Sequence, residues 1–150
     1  MKVREIMTSD VKTCRAETNL AEAVKFMWER DCGVLPVVKA DGKVTGMITD
    51  RDICVAIATR GSTADRIAVQ DVTTGTICTC APDDDAIAAL KTMKSQRVRR
   101  LPVVDANGRL KGILSLNDVV TQGAASATEI VSTIASISEH RRRTAMAAGA

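Results

Sequence analysis

The chain has 150 residues, 45% of them hydrophobic and 26% charged, and its formal net charge is +3 at pH 7. This composition is typical of a globular protein with a real core, and it gives little support to a nucleic-acid partner. The two aromatic side chains, Phe26 and Trp28, are too few for a base-stacking platform. No apolar run reaches membrane-spanning length and no signal peptide opens the chain, so we expect a cytoplasmic protein without a membrane partner.

The sequence contains an internal repeat. One constant offset aligns the chain with itself without a gap from residue 3 to residue 119. It places Leu35-Pro36-Val37-Val38 on Leu101-Pro102-Val103-Val104. Two copies are too few for a solenoid, so they predict two similar units packed about a pseudo-twofold axis. We assign residues 1–62 to the first unit, 63–123 to the second, and 124–150 to a C-terminal helix and tail.

The first half of each unit predicts a lead-in turn, a short strand and an amphipathic helix. The turns cover residues 3–8 and 69–74, and the strands cover 11–14 and 76–80. Apolar residues at i, i+3, i+4 and i+7 then mark one face of a helix in each unit. These residues are Leu20, Ala23, Val24 and Met27 in the first unit and Ala86, Ala89, Leu90 and Met93 in the second. Asn19 or Thr18 can cap the first helix, and residues 83–85 can cap the second.

The second half of each unit predicts a hairpin and a closing helix. The predicted strands are residues 35–39 with 43–48, and residues 101–105 with 109–114. Asp41-Gly42 and Asn107-Gly108 are two-residue hairpin signals, because both positions need a positive φ. The helix predicted at 50–59 is apolar all round between residues 53 and 58. It should therefore be covered on every side, and a second subunit can supply part of that cover.

A capping box at Ser126-Ala127-Thr128-Glu129 predicts one more helix. This helix carries Ile130, Ile134 and Ile137 on one face, which we expect to dock on the body of the protein or on a partner. The basic cluster from His140 to Arg143 suits the C-terminal end of a helix better than a nucleic-acid site. Residues 144–150 are mostly small, so fraying is expected there.

Five cysteines occur in the chain, at positions 14, 32, 54, 78 and 80. The odd number and the absence of a Cys-x-x-Cys pair argue against a disulfide framework and against a zinc site. We therefore predict reduced core thiols, as in a cytosolic protein.

Each hairpin ends in the same short motif, here called the corner: a glycine, two apolar residues, a hydroxyl residue and, three positions on, an aspartate. The corners run from Gly46 to Asp52 and from Gly112 to Asp118. The hydroxyl at a helix start suits an anion such as phosphate, and the carboxylate can accept hydrogen bonds from a ribose diol. The glycine lets a ligand approach the backbone. The same spacing is also an ordinary helix cap, so the motif predicts either a nucleotide site or a cap without a ligand.

Four features together resemble a tandem pair of cystathionine β-synthase (CBS) domains, also called a Bateman module. They are the lead-in that ends Ile6-Met7-Thr8, the two Leu-Pro-Val-Val strands, the two Asx-Gly hairpins and the two corners. The resemblance covers residues 1 to about 122. It implies an α+β fold of two β-α-β-β-α units packed by pseudo-twofold symmetry, and binding sites that the two units share.

The resemblance implies a first site around Ser115 and Asp118. It places the base near residues of the first unit, namely Thr18, Ala23, Gly33 and Val34. It places the phosphate near Arg99 and Arg100, because guanidinium groups bind phosphate in a bidentate fashion. The alternative for these arginines is a solvated turn without a ligand.

A second site around Thr49 and Asp52 follows from the pseudo-symmetry. Its partners in the second unit are Cys80, Asp84, Ala89 and residues 98–100. Here Asp84 replaces a hydroxyl, and Gly33 and Val34 stand where the first site has arginines. An extra carboxylate and missing cations disfavour a polyphosphate, so we predict that the site at Asp118 is the stronger one for a phosphorylated ligand.

The resemblance implies a regulatory module that senses adenine nucleotides or related adenosyl compounds. The expected ligand is AMP, ADP or ATP, with NAD and S-adenosylmethionine as further options, and the expected assembly is a homodimer through apolar helices that signals to a downstream protein. We predict no catalytic and no metal site: the single histidine, His140, lies in the basic tail, and neither a P-loop nor a GxGxxG motif occurs. The alternative is a structural dimerisation or scaffold module without a ligand.

Overall fold

A computed structural model describes residues 1–73 and 75–139 of the chain. Its helices are α1 (Val3–Ile6), α2 (Leu20–Glu29), α3 (Asp50–Arg60), α4 (Ala86–Gln96), α5 (Leu116–Thr121) and α6 (Ala127–Ser138). Its strands are β1 (Val34–Val38), β2 (Val44–Thr49), β3 (Arg100–Val104) and β4 (Leu110–Ser115). The strands form two separate antiparallel sheets, β1-β2 and β3-β4, which confirms the predicted α+β class. The predictions for residues 140–150 lie outside the described residues.

The two hairpins have the same register. Leu35 pairs with Ile48 in the first and Leu101 with Leu114 in the second. Their turns place Gly42 at φ 83° and Gly108 at φ 77°, whereas Asp41 and Asn107 do not have a positive φ. The expected positive φ is therefore found at the second position of each Asx-Gly pair and not at both. Because the register and the turns repeat, both corners leave their sheets in the same way.

The short strands predicted at residues 11–14 and 76–80 shrink to one paired residue each. Cys14 forms a parallel bridge with Val37, and Cys80 forms the equivalent bridge with Val103. The N–H and C=O of each cysteine bond to the hairpin, with Cys14 donating to the Pro36 carbonyl at 3.0 Å. In the first repeat the chain then turns towards α2, so one residue is all that adds to the sheet.

Each lead-in packs against the other repeat. Val3 and Ile6 of α1 lie in the hydrophobic core of the second repeat, whereas Ile67 and Val69 lie in the core of the first. Backbone hydrogen bonds secure this exchange, since Val3 donates to the Asp84 carbonyl at 2.9 Å. The boundary proposed between residues 62 and 63 therefore follows the sequence repeat, while the packing assigns each lead-in to the opposite core.

The helix α6 docks on α4 through a polar edge. Thr133 is 2% exposed, and its hydroxyl donates to the Glu129 carbonyl at 2.8 Å. The Lys94 ammonium donates to the Ser132 hydroxyl at 2.6 Å, and the Ser136 hydroxyl donates to the Lys94 carbonyl at 3.1 Å. Of the isoleucine face expected to dock, Ile130 and Ile137 are half-buried, whereas Ile134 is 44% exposed, so that face is covered only in part.

The helix α3 is covered on one side only. Ile53 and Ala56 are buried in the core of the first repeat, whereas Val55 is 43% exposed and Ile57 is 37% exposed. The expectation of cover on every side is therefore not met within this one chain. On the neighbouring helix α2, Trp28 is 86% exposed.

Candidate functional site

Both corners form reciprocal helix caps. The Thr49 hydroxyl accepts from the Asp52 N–H at 3.1 Å, and the Asp52 carboxylate accepts from the Thr49 N–H at 3.0 Å. At the second corner the Ser115 hydroxyl accepts from the Asp118 N–H at 3.1 Å, and Asp118 accepts from the Ser115 N–H at 2.7 Å. The capping interpretation of the motif is therefore realised at both corners.

Capping leaves part of each carboxylate available. In both corners the cap uses the Oδ2 atom, and at Asp118 the same atom also accepts from the Ser115 hydroxyl at 2.6 Å. The Oδ1 atoms of Asp52 and Asp118 accept no hydrogen bond from the described residues. Because an ionised carboxylate offers about four lone-pair sites, a capping aspartate can still accept hydroxyl groups from a ligand.

A cleft of about 240 Å³ opens at the second corner, and both repeats line it. The lining residues from the second repeat are Arg100, Ile113, Ser115 and Asp118. Those from the first repeat are Thr8, Asp10, Val11, Lys12, Arg30, Cys32 and Val34. This cleft, here called the Asp118 cleft, thus combines the carboxylates of Asp118 and Asp10, three cationic side chains and an apolar wall. One of the cations, Arg30, pairs with Asp10 at 3.0 Å.

The Asp118 cleft brings together four of the residues predicted for this site, namely Val34, Arg100, Ser115 and Asp118. Arg99 instead lines a neighbouring cavity. Thr18, Ala23 and Gly33 do not line the cleft. The Thr18 hydroxyl accepts from the Arg15 N–H at 2.9 Å within a turn, and Ala23 is 0% exposed in the core.

Gly33 lies against the start of α3. Its carbonyl accepts from the Asp50 N–H at 3.1 Å, and a Cβ at this position would come within 2.9 Å of the Asp50 carboxylate. Because Asp50 is exposed, its carboxylate can move aside, so this contact alone does not require a glycine.

Sequence reasoning missed the contribution of the first lead-in to this cleft. Thr8 and Ile113 exchange two backbone hydrogen bonds of 2.9 Å, which extends the sheet β3-β4 by one residue and carries Lys12 to the cleft. A Cβ on Gly112 would come within 2.5 Å of the Thr8 carbonyl oxygen. The glycine that was expected to admit a ligand thus admits the backbone of the lead-in. The repeated Gly112 was the available signal, but its partner is distant in sequence.

The residues predicted for the second site do not gather around a described cavity. Ala89 is 2% exposed and Cys80 is 6% exposed, both within the core of the second repeat. The Asp84 carboxylate accepts from the Ala81 N–H at 2.8 Å. Thr49 and Asp52 line neither of the two cavities described in this article. The inequality of the two sites stays a prediction.

The buried cysteines are held as neutral thiols. Burial raises the pKa of Cys14 from 9.0 to about 11. Burial, and then the negative charge of Asp84, raise the pKa of Cys80 to about 12. All five cysteines lie in the described part of the chain. Cys14 and Cys80 are buried, Cys32 and Cys78 are half-buried and Cys54 is exposed, so the expected core position is found for two of the five. Their reduced state stays a prediction.

Two further features bear on the class of site. Within residues 1–73 and 75–139, no group of three or more His, Cys, Asp or Glu side chains is placed to hold a metal ion. None of the helices in that same part of the chain is long and apolar enough to cross a lipid bilayer.

The structure is a duplicated α+β module in which residues of both copies line one cleft. The CBS domain family matches residues 3–59 and 69–124, once for each repeat. The chain belongs to the CBS domain family, as a tandem pair.

Comparison with known proteins places this pair beside both larger and similar-sized relatives. The homoserine O-acetyltransferase of Methanococcoides burtonii is 36% identical over 117 residues, which cover 78% of this chain but 23% of that enzyme. This chain therefore spans about a quarter of that relative. The CBS domain protein TA0289 of Thermoplasma acidophilum, described as of unknown function, has a TM-score of 0.80 at 28% identity, covering 91% of this chain and 75% of that one.

Two other solved structures share the fold at lower identity. The CBS domain pair of protein MJ0100, in complex with methylthioadenosine and S-adenosyl-L-methionine, has a TM-score of 0.75 at 24% identity and covers 82% of this chain and 95% of that one. CBSX2, in complex with AMP, has a TM-score of 0.70 at 24% identity and covers 81% of this chain and 95% of that one. At this identity the likeness establishes the fold.

Proposed function

We propose that this protein is a regulatory module, and not an enzyme, that binds an adenine nucleotide or a related adenosyl compound in the Asp118 cleft. The ligand class comprises AMP, ADP and ATP, with NAD and S-adenosylmethionine as further members. The observation that carries the proposal is the cleft itself, where the first lead-in, β1 and the second corner meet around Asp118. Because this cleft opens beside Ser115 and Asp118, the second corner has space for a ligand.

Each chemical part of such a ligand has a counterpart in the cleft. The free Oδ1 atom of Asp118 accepts hydrogen bonds from the ribose hydroxyls. The guanidinium of Arg100 binds phosphate, since its side chain is exposed and makes no ion pair with a described residue. Val11, Val34 and Ile113 supply the apolar surface against which a base can lie.

The two adenosyl complexes support the ligand class by showing what this fold can hold in other proteins. Their low identity leaves the choice of ligand to the residues of this cleft. Some relatives, such as the acetyltransferase, are much longer enzymes. This chain matches only their CBS part. We therefore assign to this chain the sensing role and not the chemistry of those enzymes.

The signal is proposed to pass through a homodimer to a downstream protein in the cytoplasm. The helices α2 and α3 contact each other and expose Val24, Trp28 and Val55 at 42%, 86% and 43%. We infer that these side chains form an apolar face on the first repeat. A face of this kind is typical of an interface between subunits.

The test is calorimetric titration of AMP, ADP, ATP, NAD and S-adenosylmethionine into the wild type and two matched variants. Asp118→Ala and Asp52→Ala each remove the carboxylate half of the same capping box and leave the hydroxyl half in place, so each should lose about 1 kcal/mol of stability. We expect at least one ligand to bind the wild type, and Asp118→Ala to weaken it at least tenfold, or about 1.4 kcal/mol. Asp52→Ala should change the affinity less than twofold.

The competing function is a scaffold without a ligand, and the caps at both corners favour it because they explain the motif without one. If none of the five compounds gives a binding signal in the titration, the result supports the scaffold. Equal effects of the two aspartate variants would also contradict the proposed role of Asp118.

A further inference from the structure

The C-terminal helix adds a cavity that the pair of repeats alone does not contain. It encloses about 410 Å³ between the start of β3, α5 and α6, and is called the α6 cavity below. Its lining residues are Arg99, Arg100, Ser115, Leu116, Asn117, Val120, Ile134, Ile137 and Ser138. The helix α6 (Ala127–Ser138) lies beyond the regions matched by the CBS family, 3–59 and 69–124. The wall that α6 supplies therefore lies outside the regions that the family match covers.

One wall of the α6 cavity is aliphatic and partly exposed. Val120 and Ile134 are both 44% exposed, and Ile137 and Leu116 stand beside them. The helix docks on α4 by its polar edge around Thr133, and two of its isoleucines, Ile134 and Ile137, line the cavity. Covering such a wall is favourable by roughly 25 cal/mol for each Å² of apolar surface removed from water.

The mouth of the α6 cavity is cationic. Arg99 and Arg100 are exposed, and neither side chain forms an ion pair or hydrogen bond with a residue in the described part of the chain. Neighbouring cations are already engaged, since Arg97 pairs with Glu139 at 2.6 Å and Lys94 bonds to Ser132. Among the described residues that line the cavity, none is acidic. The charge at the mouth therefore favours an anion.

We propose that the α6 cavity binds a small organic anion in which a phosphate or carboxylate is joined to a compact aliphatic group. The charged group lies at Arg99 and Arg100, and the aliphatic group lies against Val120, Ile134 and Ile137. The volume falls within the roughly 300–1,000 Å³ that is typical of small-molecule sites. The site adjoins the Asp118 cleft, because Arg100 and Ser115 line both, but Arg99 lines only the α6 cavity.

The probes are hexyl phosphate and hexanoate, titrated into the full chain by calorimetry. Inorganic phosphate and hexanol are the controls, and they supply the anionic group and the aliphatic group separately. We expect at least one amphipathic probe to bind at least tenfold more tightly than either half, because it engages the guanidinium groups and the wall at once. The tighter of the two identifies the headgroup. Isoleucine methyl NMR should show the largest shifts at Ile134 and Ile137.

Two pairs of surface variants make the test specific. Arg99→Ala should weaken the better probe about tenfold, whereas Arg109→Ala, which removes an exposed arginine of the second hairpin, should leave it unchanged. Ile134→Asp introduces a carboxylate into the cavity and should abolish binding. Val131→Asp places the same charge on a residue of α6 that is 64% exposed and does not line the cavity, so it should have no effect.

The proposal is overturned if neither hexyl phosphate nor hexanoate binds. It is also overturned if a probe binds no more tightly than inorganic phosphate or hexanol does. It is also overturned if each variant behaves like its control, or if the methyl shifts centre on Ile113 in the Asp118 cleft. None of the probes contains a nucleoside, so failure of the nucleotide proposal leaves this test intact.

Discussion

The two corners share a backbone but differ in the residue that faces the hydroxyl. The hairpin register places Val34 opposite Thr49 in the first repeat and Arg100 opposite Ser115 in the second. Both caps have the same two reciprocal hydrogen bonds, and at the second corner the Ser115 hydroxyl also donates to Asp118. This difference shows that register and capping are common to both copies, whereas the charge beside each corner depends on single side chains that can change without disturbing the fold.

The helix faces of the two repeats differ in a second way. In the second repeat, α6 packs on α4. In the first repeat no helix of the described part takes the equivalent place, and Val24, Trp28 and Val55 remain exposed. The proposed dimer interface therefore belongs to the first repeat, and the α6 cavity to the second.

The largest effect is expected at the open face. In a dimer formed through α2 and α3, Val55→Glu would bury an unpaired carboxylate, which costs about 4 kcal/mol, or roughly a thousandfold in the dissociation constant. Sedimentation over a range of concentrations measures this change. Val131→Glu on the covered repeat is the control and should leave the dimer intact. If the wild type stays monomeric at every concentration, the proposed dimer interface is wrong.

The next effect separates the two corner glycines. Gly112→Ala forces its Cβ against the Thr8 carbonyl oxygen, at 2.5 Å, and should lower the free energy of unfolding by about 2–3 kcal/mol through overpacking. Gly46→Ala meets the Thr73 side chain at 3.6 Å and the Val37 side chain at 3.8 Å, both ordinary contacts, so we expect a change below about 1 kcal/mol. Urea denaturation compares the two variants. Equal stabilities would show that the lead-in can shift without loss.

A smaller effect is expected from making the second corner resemble the first. Arg100→Val should weaken AMP or ATP about tenfold, or about 1.4 kcal/mol, because a bidentate phosphate contact is lost. Adenosine, which carries no phosphate, should bind the variant and the wild type alike. The difference should shrink as salt is raised. If adenosine loses affinity as much as AMP does, Arg100 does not act on the phosphate.

At neutral pH the smallest effect on stability is expected from the two equivalent buried cysteines, Cys14 and Cys80, because their effect begins only above pH 9. Their pKa values, about 11 for Cys14 and about 12 for Cys80, lie above the ordinary 9.0, so the folded state keeps protons that the unfolded state releases. Stability should therefore be unaffected below pH 9 and fall as the pH rises from 9 towards 11–12, by at most about 1 kcal/mol per pH unit for each thiol. Thermal denaturation between pH 7 and 11 measures the slope. Cys14→Ala should reduce the slope, whereas replacement of the exposed Cys54 by Ala should not.

Much of the fold could be predicted because its signals are local. The apolar spacing from Leu20 to Met27 marks α2, and the Asx-Gly turns require the positive φ found at Gly42 and Gly108. The corners combine a hydroxyl and an acid three residues apart, which is enough to form a cap. Of the site, Val34, Arg100, Ser115 and Asp118 were predicted and lie together at the cleft.

The remaining features depend on contacts between residues far apart in the chain. The sequence by itself determined the repeated units, because turns, caps and helix faces follow from neighbouring residues. Only the tertiary structure decided that α1 joins the core of the second repeat, that Lys12 reaches the Asp118 cleft, and that α6 docks through Thr133. These outcomes depend on which surfaces fit together after folding, and hydrophobic spacing gives the face of a helix but not its partner.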